Sequence, residues 1–359
     1  MTFGRSFLPG PVDVHPEVTR ALGRPIFSHR GPEMAALLQR IQPRLRALFR
    51  TRRPVYVGTH SATGFMEAAI RSGVREHVLV VESGYFGKRF AAVAARCGKT
   101  VTTIPIPAGH VISPEQLAHG LAKSGADAVA VVHSETSTGA LAPLAELAQV
   151  VRSAPDVLIL VDAVTSIGGS PVETDAWGLD FVFTGSQKAL ALPPGIALAV
   201  ASERMLERAR TLTVTGWYLD LSLHEEAVRS NQPTQTPAVP MFFALDAQLE
   251  RIEAEGGVEA RWERHAAMQR RVETWVDAHP TLRFLSPDGC RSWTVSAIAM
   301  PAGQSARAIV ETMKQRGWII GTGLDGDADL LLRIGHMGDL QITHLEALLS
   351  QLSRLVPAP

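Results

Sequence analysis

Short apolar runs alternate with amphipathic segments along the first two thirds of the chain. The runs HVLVVES (77–83), ADAVAVVHSE (126–135) and DVLILVDAV (156–164) are almost uninterrupted, as in strands that are buried on both faces of a parallel sheet. Helical patterns separate these runs, and one of them begins at a predicted cap, Ser113, followed by Pro and Glu. Further strands are predicted at TVTTIPIP (100–107), DFVFTG (180–185) and GIALAVAS (195–202). The alternation predicts an α/β fold with a mainly parallel sheet that helices cover on both faces.

The pattern changes near residue 245. Two long, charged helical segments, LDAQLERIEAEGG and EARWERHAAMQRRVETWVDAHP, precede short strands and a last helix. We therefore predict an N-terminal segment (1–20), a large domain (21–245) and a smaller α+β domain (246–359).

Charge and cysteine content narrow the class of protein. The 359 residues include 35 Lys+Arg and 35 Asp+Glu, so no basic field favours binding to nucleic acid or to a membrane surface. Two cysteines, Cys97 and Cys290, cannot build a disulfide framework and suggest a reducing compartment. The N-terminus has no signal-peptide pattern, and no run approaches the roughly 20 apolar residues of a membrane span. We expect a globular, cytoplasmic protein.

Polar groups follow four of the predicted strands. Lys188 is the only charged residue of TGSQKALALPPG, Asp162 follows VLILV directly, and 133–137 and 83–86 follow the other two strands. Ligands of open parallel sheets bind beyond the carboxyl ends of the strands, so these groups are expected around one crevice. Burial of an unpaired lysine is costly, so Lys188 requires either solvent or a chemical role.

A lysine that forms a Schiff base and a carboxylate that pairs with a pyridinium nitrogen are what pyridoxal phosphate requires of a protein. The segment GTHSATGFMEAAI (58–70) offers a phosphate cradle, with the hydroxyls of Ser61 and Thr63 and the start of a helix. It is neither a Walker loop nor a GxGxxG fingerprint. Phe86 is placed to stack on a ring. Each feature alone also fits a structural role: a surface lysine, a capping carboxylate, a turn before a helix, or a core aromatic.

Five segments in order carry a family resemblance: GTHSATGFMEA, ESGYFGKR, VVHSETSTGAL, LVDAVTSIGG and GSQKALALPPG. With this spacing they resemble class V aminotransferases of fold type I, most of all the alanine–glyoxylate and serine–pyruvate group. The likeness extends from LPGPVDVHPEV near the N-terminus to LLLRIGHMG near the end. It implies a mainly parallel, seven-stranded type of sheet flanked by helices, pyridoxal phosphate as cofactor, no metal ion, and a homodimer with shared active sites. Ping-pong transamination is the implied reaction.

The resemblance also implies roles for individual residues. Lys188 matches the lysine that binds the cofactor and carries the proton, and Asp162 matches the partner of the pyridine nitrogen. Arg333 matches the arginine that holds the substrate carboxylate; independently, an arginine in an apolar strand needs an anionic partner. The implied cofactor-binding residues are Ser61, Ala62, Thr63, Phe86, Thr136, Asp162, Gln187, Lys188 and, from the second subunit, Thr236.

The substrate is less constrained. We expect a small neutral donor, alanine or serine, and an acceptor such as glyoxylate or pyruvate. His29 and Arg30 in SHRGPEM also match a substrate-binding pair of phosphoserine aminotransferases, which use 2-oxoglutarate and glutamate. The C-terminal basic cluster of those enzymes is not evident. A cysteine desulfurase would need a reactive thiol beyond Lys188, where only Cys290 occurs, and a non-enzymatic relative would be expected to have lost Lys188 or Asp162.

Overall fold

The computed structural model describes residues 4–212, 216–324 and 326–356. The strands are β1 (Arg5–Phe7), β2 (Tyr56–Gly58), β3 (His77–Glu82), β4 (Thr100–Pro105), β5 (Ala128–Val132), β6 (Ser134–Glu135), β7 (Ala140–Leu141), β8 (Leu158–Asp162), β9 (Phe181–Gly185), β10 (Ala197–Ala201), β11 (Arg283–Phe284), β12 (Val295–Ala299), β13 (Trp318–Thr322) and β14 (Leu331–Gly335).

The helices are α1 (Pro16–Leu22), α2 (Pro32–Phe49), α3 (Ala62–Gly73), α4 (Tyr85–Arg96), α5 (Pro114–Ser124), α6 (Leu144–Arg152), α7 (Thr174–Trp177), α8 (Glu203–Thr211), α9 (Leu221–Arg229), α10 (Val239–Ala254), α11 (Gly257–Asp277), α12 (Ala306–Gln315) and α13 (Ile342–Leu352). The predicted cap of α5 is confirmed, since Ser113 forms a capping box with Gln116.

A seven-stranded sheet forms the centre of the fold. Its order is β2-β10-β9-β8-β5-β3-β4. The five strands from β9 to β4 are parallel, and only β10 and β2 run antiparallel to their neighbours. The predicted mainly parallel α/β sheet is therefore confirmed.

Side chains of the central strands pack into two hydrophobic cores, one on each face of the sheet. In β5, Val129 and Val131 pack into the core on one face, whereas Ala128 and Ala130 pack into the core on the other. All five residues of this strand are buried, which explains why its sequence is a continuous apolar run.

A second, five-stranded sheet has the order β1-β13-β14-β12-β11 and packs with α11, α12 and α13 around a third core. Its edge strand β1 comes from the N-terminus and pairs in parallel with β13, Arg5 lying opposite Trp318. Helix α10 runs through residue 245 without a break. The division at 245/246 therefore stays a prediction.

The strand order places four loops side by side. Strands β9, β8, β5 and β3 are consecutive neighbours, so the residues that follow them share one edge of the sheet. None of the helices in the described ranges is long and apolar enough to cross a membrane.

Candidate active site

A cavity of about 170 Å³ lies at this shared edge. Its walls contain eight residues that the sequence singled out: Ser61, Ala62, Thr63, Phe86, Thr136, Asp162, Gln187 and Lys188. Other wall residues are Met66, Arg89, Val132, Ser134, Val164 and Thr165. Strand ends that are separated by more than a hundred residues therefore meet around a single space.

Lys188 lies in a tight loop after β9. The loop is closed by backbone hydrogen bonds from Leu192 N to Ser186 O (3.0 Å) and from Ala191 N to Lys188 O (2.9 Å). The lysine is only 7% exposed, its Nζ donates to the carbonyl of Pro9, and Nζ lies 5.9 Å from the centroid of the Phe86 ring.

Burial lowers the pKa of the Lys188 amine to about 8, and the nearby Arg333 guanidinium acts in the same direction. Asp162 and Glu135 oppose this shift. A substantial fraction of the amine is therefore neutral slightly above neutral pH, which suits a nucleophile and a base.

Asp162 is the last residue of β8 and is 4% exposed. One carboxylate oxygen, Oδ1, accepts a hydrogen bond from Val164 N at 2.9 Å. Burial raises the pKa of the carboxyl to about 7, although this hydrogen bond acts against the shift. A buried carboxyl that is held at one oxygen and is balanced between its two protonation states is suited to pair with a basic nitrogen.

The start of α3 forms one wall of the cavity. Ser61 is the N-cap residue, but its side chain makes no capping hydrogen bond, so its hydroxyl is not used to close the helix. Across from it, a Cβ on Gly185 would lie 2.7 Å from Gln187 Oε1 and 3.3 Å from Ala62 Cβ. The absence of a side chain at Gly185 thus allows the Gln187 loop to approach the helix start, whose dipole favours an anion.

Helix α4 provides an aromatic wall and a cation that sequence reasoning missed. The Arg89 guanidinium lies 5.0 Å from the ring centroid of Phe86 and 4.9 Å from that of Tyr85, and it donates to Tyr85 Oη at 3.0 Å. The sequence did offer one indication of this position: Arg89 follows Phe86 by three residues on a predicted helix, and residues with this spacing share a helix face.

Arg333 lies beside the cavity and is not among its wall residues. Its Nε donates to Thr322 O at 2.6 Å and its Nη1 to Thr136 O at 3.0 Å. Thr136 is a wall residue, and its hydroxyl lies 2.6 Å from that of Thr165. Within the described ranges, the hydrogen-bond partners of Arg333 are carbonyl oxygens and it forms no ion pair, and burial lowers its pKa. A buried guanidinium with unused donors is a fitting partner for a carboxylate.

Three predicted residues lie away from the cavity in the single chain. His29 and Thr236 are close to each other, with Nε2 and Oγ1 separated by 3.4 Å, and Arg30 is exposed. None of the three lines the cavity. Their roles, and the contribution of Thr236 from a second subunit, stay predictions. Neither Cys97 nor Cys290 is a wall residue either.

Comparisons with known proteins agree with this arrangement. A family described as aminotransferase class-V matches residues 21–334. The chain belongs to this family. The aminotransferase is 34% identical to the small subunit of a soluble hydrogenase from Synechococcus, over 96% of this chain and 92% of the relative. It is 31% identical to the L-aspartate–glyoxylate aminotransferase of Paracoccus denitrificans, over 93% and 86% of the two chains.

The solved alanine–glyoxylate aminotransferase from a Nostoc species has a TM-score of 0.93 at 30% identity, covering 99% of this chain and 96% of the other. The predicted family, fold and transaminase class are thus confirmed. A phosphoserine aminotransferase from Cytophaga hutchinsonii matches at 21% identity, with a TM-score of 0.89 over 99% and 100% of the two chains; this likeness shows the fold alone. Pyridoxal phosphate stays the predicted cofactor.

Proposed function

We propose that the cavity binds pyridoxal phosphate and that the enzyme moves an amino group from alanine or serine to a 2-oxo acid such as glyoxylate or pyruvate. The observation that carries this proposal is the meeting of Lys188 and Asp162 in one buried cavity, with Phe86 and a helix start as its other walls.

The residues present fit this cofactor. The free N-cap hydroxyl of Ser61, Thr63 and the dipole of α3 suit a phosphate group, and Gln187 borders them. Phe86 offers a flat apolar surface for a ring, and Asp162 has one carboxylate oxygen without a hydrogen-bond partner among the described residues. When bound, pyridoxal phosphate supplies a ring that accepts the electrons released at the substrate Cα.

Lys188 is the residue that moves protons. With a pKa of about 8, its amine can take a proton from the substrate Cα, and the ammonium group so formed can give that proton up again within the site. The carbonyl of Pro9, which accepts a hydrogen bond from Nζ, fixes the direction of the amine in the substrate-free protein.

Asp162 holds a proton at the ring nitrogen. Its carboxyl has a pKa of about 7 in the cavity, and a basic nitrogen beside it favours the ionised form because the pair then shares a charge-assisted hydrogen bond.

Arg333 orients the substrate. The carbonyls of Thr322 and Thr136 hold its guanidinium at Nε and Nη1, which leaves Nη2 and one N–H of Nη1 for the substrate carboxylate. A carboxylate that is held in this way keeps the Cα hydrogen in a constant position relative to Lys188.

We also propose a cytoplasmic homodimer in which Thr236 reaches the phosphate group of the partner subunit. Trp217 and Tyr218 support this proposal because they are large and remain 66% and 46% exposed. Tyr218 Oη donates to Thr59 O at 3.3 Å, two residues before Ser61, so this exposed surface is close to the cofactor cradle.

The substrate-free protein with and without pyridoxal phosphate provides the first test. We expect a visible absorbance band after loading, its loss in Lys188→Ala, and its retention in the control Lys99→Ala, whose amine donates to Arg75 O away from the cavity. A Lys188→Ala variant with normal turnover would disprove the assignment.

A donor and acceptor screen tests the substrates. Alanine, serine, aspartate and phosphoserine are each combined with glyoxylate, pyruvate and 2-oxoglutarate, and kcat/KM is measured for every pair. We expect alanine or serine with glyoxylate or pyruvate to be fastest. A clear preference for phosphoserine with 2-oxoglutarate would favour the alternative that His29 and Arg30 suggest.

A further inference from the structure

A carboxylate buried behind the cavity has no role in the function described so far. Glu135, in β6, is 1% exposed and is not a wall residue. Its Oε2 accepts hydrogen bonds from Phe86 N (3.0 Å) and Gly87 N (3.3 Å), and its Oε1 accepts from Ser137 N (3.0 Å) and Ser137 Oγ (2.6 Å). Burial of a carboxylate is costly unless its oxygens are fully hydrogen-bonded, and these four donors meet that need.

The surroundings of Glu135 are built to hold the first turn of α4 in place. A Cβ on Gly84 would lie 2.6 Å from Glu135 Cγ and 2.5 Å from Ser137 Oγ, so only glycine allows this approach. Ser137 Oγ also accepts a hydrogen bond from Tyr85 N at 3.0 Å. Three successive backbone amides of α4, at residues 85 to 87, therefore donate hydrogen bonds to Glu135 or Ser137. Phe86 belongs to this turn.

Glu135 is also an anion close to the charged groups of the site. These groups are Lys188 after β9, Asp162 at the end of β8, Arg89 on α4 and Arg333 on β14. The negative charge of Glu135 raises the pKa values of Lys188, Asp162 and Arg333. For Asp162 this adds to the effect of burial, whereas for Lys188 and Arg333 it opposes that effect. Because the effective dielectric constant around buried groups is low, the charge of Glu135 affects these groups even without direct contact.

We propose that Glu135 is a positioning residue of the active site. Its carboxylate fixes the first turn of α4, and with it the ring of Phe86 at the cavity wall, and it places a buried negative charge behind that wall. The inference rests on the proposed function, because Phe86 and Lys188 matter here as cofactor-binding residues.

Two substitutions test the two effects. Glu135→Gln keeps the size of the side chain but removes the charge and replaces one acceptor oxygen with an amide group that only donates, whereas Glu135→Asp keeps the charge and both acceptors but withdraws them from the amides of α4. For protein loaded with pyridoxal phosphate, we expect Glu135→Gln to lower the pH midpoint of the visible absorbance band by about one unit, because the protonated form at Lys188 loses a nearby anion. Glu135→Asp should leave the midpoint close to the parental value and weaken cofactor binding about tenfold, measured as Kd.

Asp127→Asn is the matched control. Asp127 is a loop carboxylate at the opposite edge of the sheet that accepts hydrogen bonds from the amides of Arg75 (2.8 Å), Glu76 (2.9 Å) and His77 (3.0 Å). Its replacement should lower the thermal midpoint of unfolding as Glu135→Gln does, yet leave the absorbance midpoint and the cofactor Kd unchanged.

The outcomes distinguish the two levels of the proposal. A parental protein that takes up no pyridoxal phosphate overturns the proposed function, and this inference with it. If the parent loads normally and Glu135→Gln has the parental pH midpoint and Kd, only the role of Glu135 is overturned. Where Glu135→Gln does not fold, Glu135→Asp decides, because an unchanged cofactor Kd in that variant contradicts the positioning role.

Discussion

Gly10 lies so close to the Lys188 side chain that the methyl group added by Gly10→Ala would collide with it. The glycine has φ +106°, and a Cβ built on it would lie 2.6 Å from Lys188 Cδ, 2.8 Å from Cε and 3.1 Å from Nζ. Carbon atoms in contact are normally about 3.5–4.0 Å apart, so Gly10→Ala must displace the lysine side chain by roughly 1 Å. An alanine at this φ adds about 1–2 kcal/mol of backbone strain.

Gly303→Ala separates these two effects. Gly303 has φ +86°, and a Cβ there would meet no atom within 4 Å. Both variants should therefore lose about 1–2 kcal/mol of unfolding free energy in urea titrations. Only Gly10→Ala should also load the cofactor slowly and lose roughly 10²-fold in kcat, as expected for a misplacement of about 1 Å at a reacting group.

The assays are urea unfolding of the cofactor-free protein, stopped-flow absorbance during loading, and kcat with alanine and glyoxylate. The reasoning would be refuted if Gly10→Ala loaded and turned over like Gly303→Ala, since the segment around Gly10 would then not constrain Lys188.

Three further substitutions test the other parts of the site. Asp162→Asn should reduce kcat by roughly 10²–10³-fold. In the cofactor-free protein, the raised pKa of about 7 makes Asp162 stabilise the fold at low pH, and this stabilisation is lost as pH rises from about 4 to 7. Urea titrations should show that this pH dependence of the unfolding free energy flattens in the variant. Arg333→Gln should raise KM for every amino and oxo acid at least tenfold with cofactor Kd unchanged, and an unaltered KM would make Arg333 structural. Arg30→Ala should change kcat/KM equally for alanine, serine and phosphoserine; a selective loss of roughly 10- to 150-fold for phosphoserine would overturn the favoured donors.

The central sheet and the meeting of Lys188 with Asp162 were predictable from sequence. Buried parallel strands appear as continuous apolar runs, and the residues that follow them share one edge because the strands run in the same direction. Both features are local, so runs such as DVLILVDAV carried enough information to place Asp162 in the candidate site beside Lys188.

The sequence did not reveal that Glu135 and Arg89 also belong to the surroundings of those two groups. Glu135 stands in the segment VVHSETSTGAL, but nothing local shows that its carboxylate accepts hydrogen bonds from the first turn of α4. The inward direction of Arg89 likewise depends on how α4 packs on β3, where a Cβ on Gly87 would lie 2.7 Å from Val81 O.

Only the tertiary structure decided the place of the N-terminus. The sequence predicts residues 1–20 as an N-terminal segment but not its partners. In the structure Arg5 pairs with Trp318 in the second sheet, and the chain that follows brings Pro9 and Gly10 onto Lys188. The alternation of apolar and polar residues determines which stretches become strands and which face they bury. It does not determine which distant strand they join, because that choice depends on packing between surfaces that exist only once the two sheets have formed.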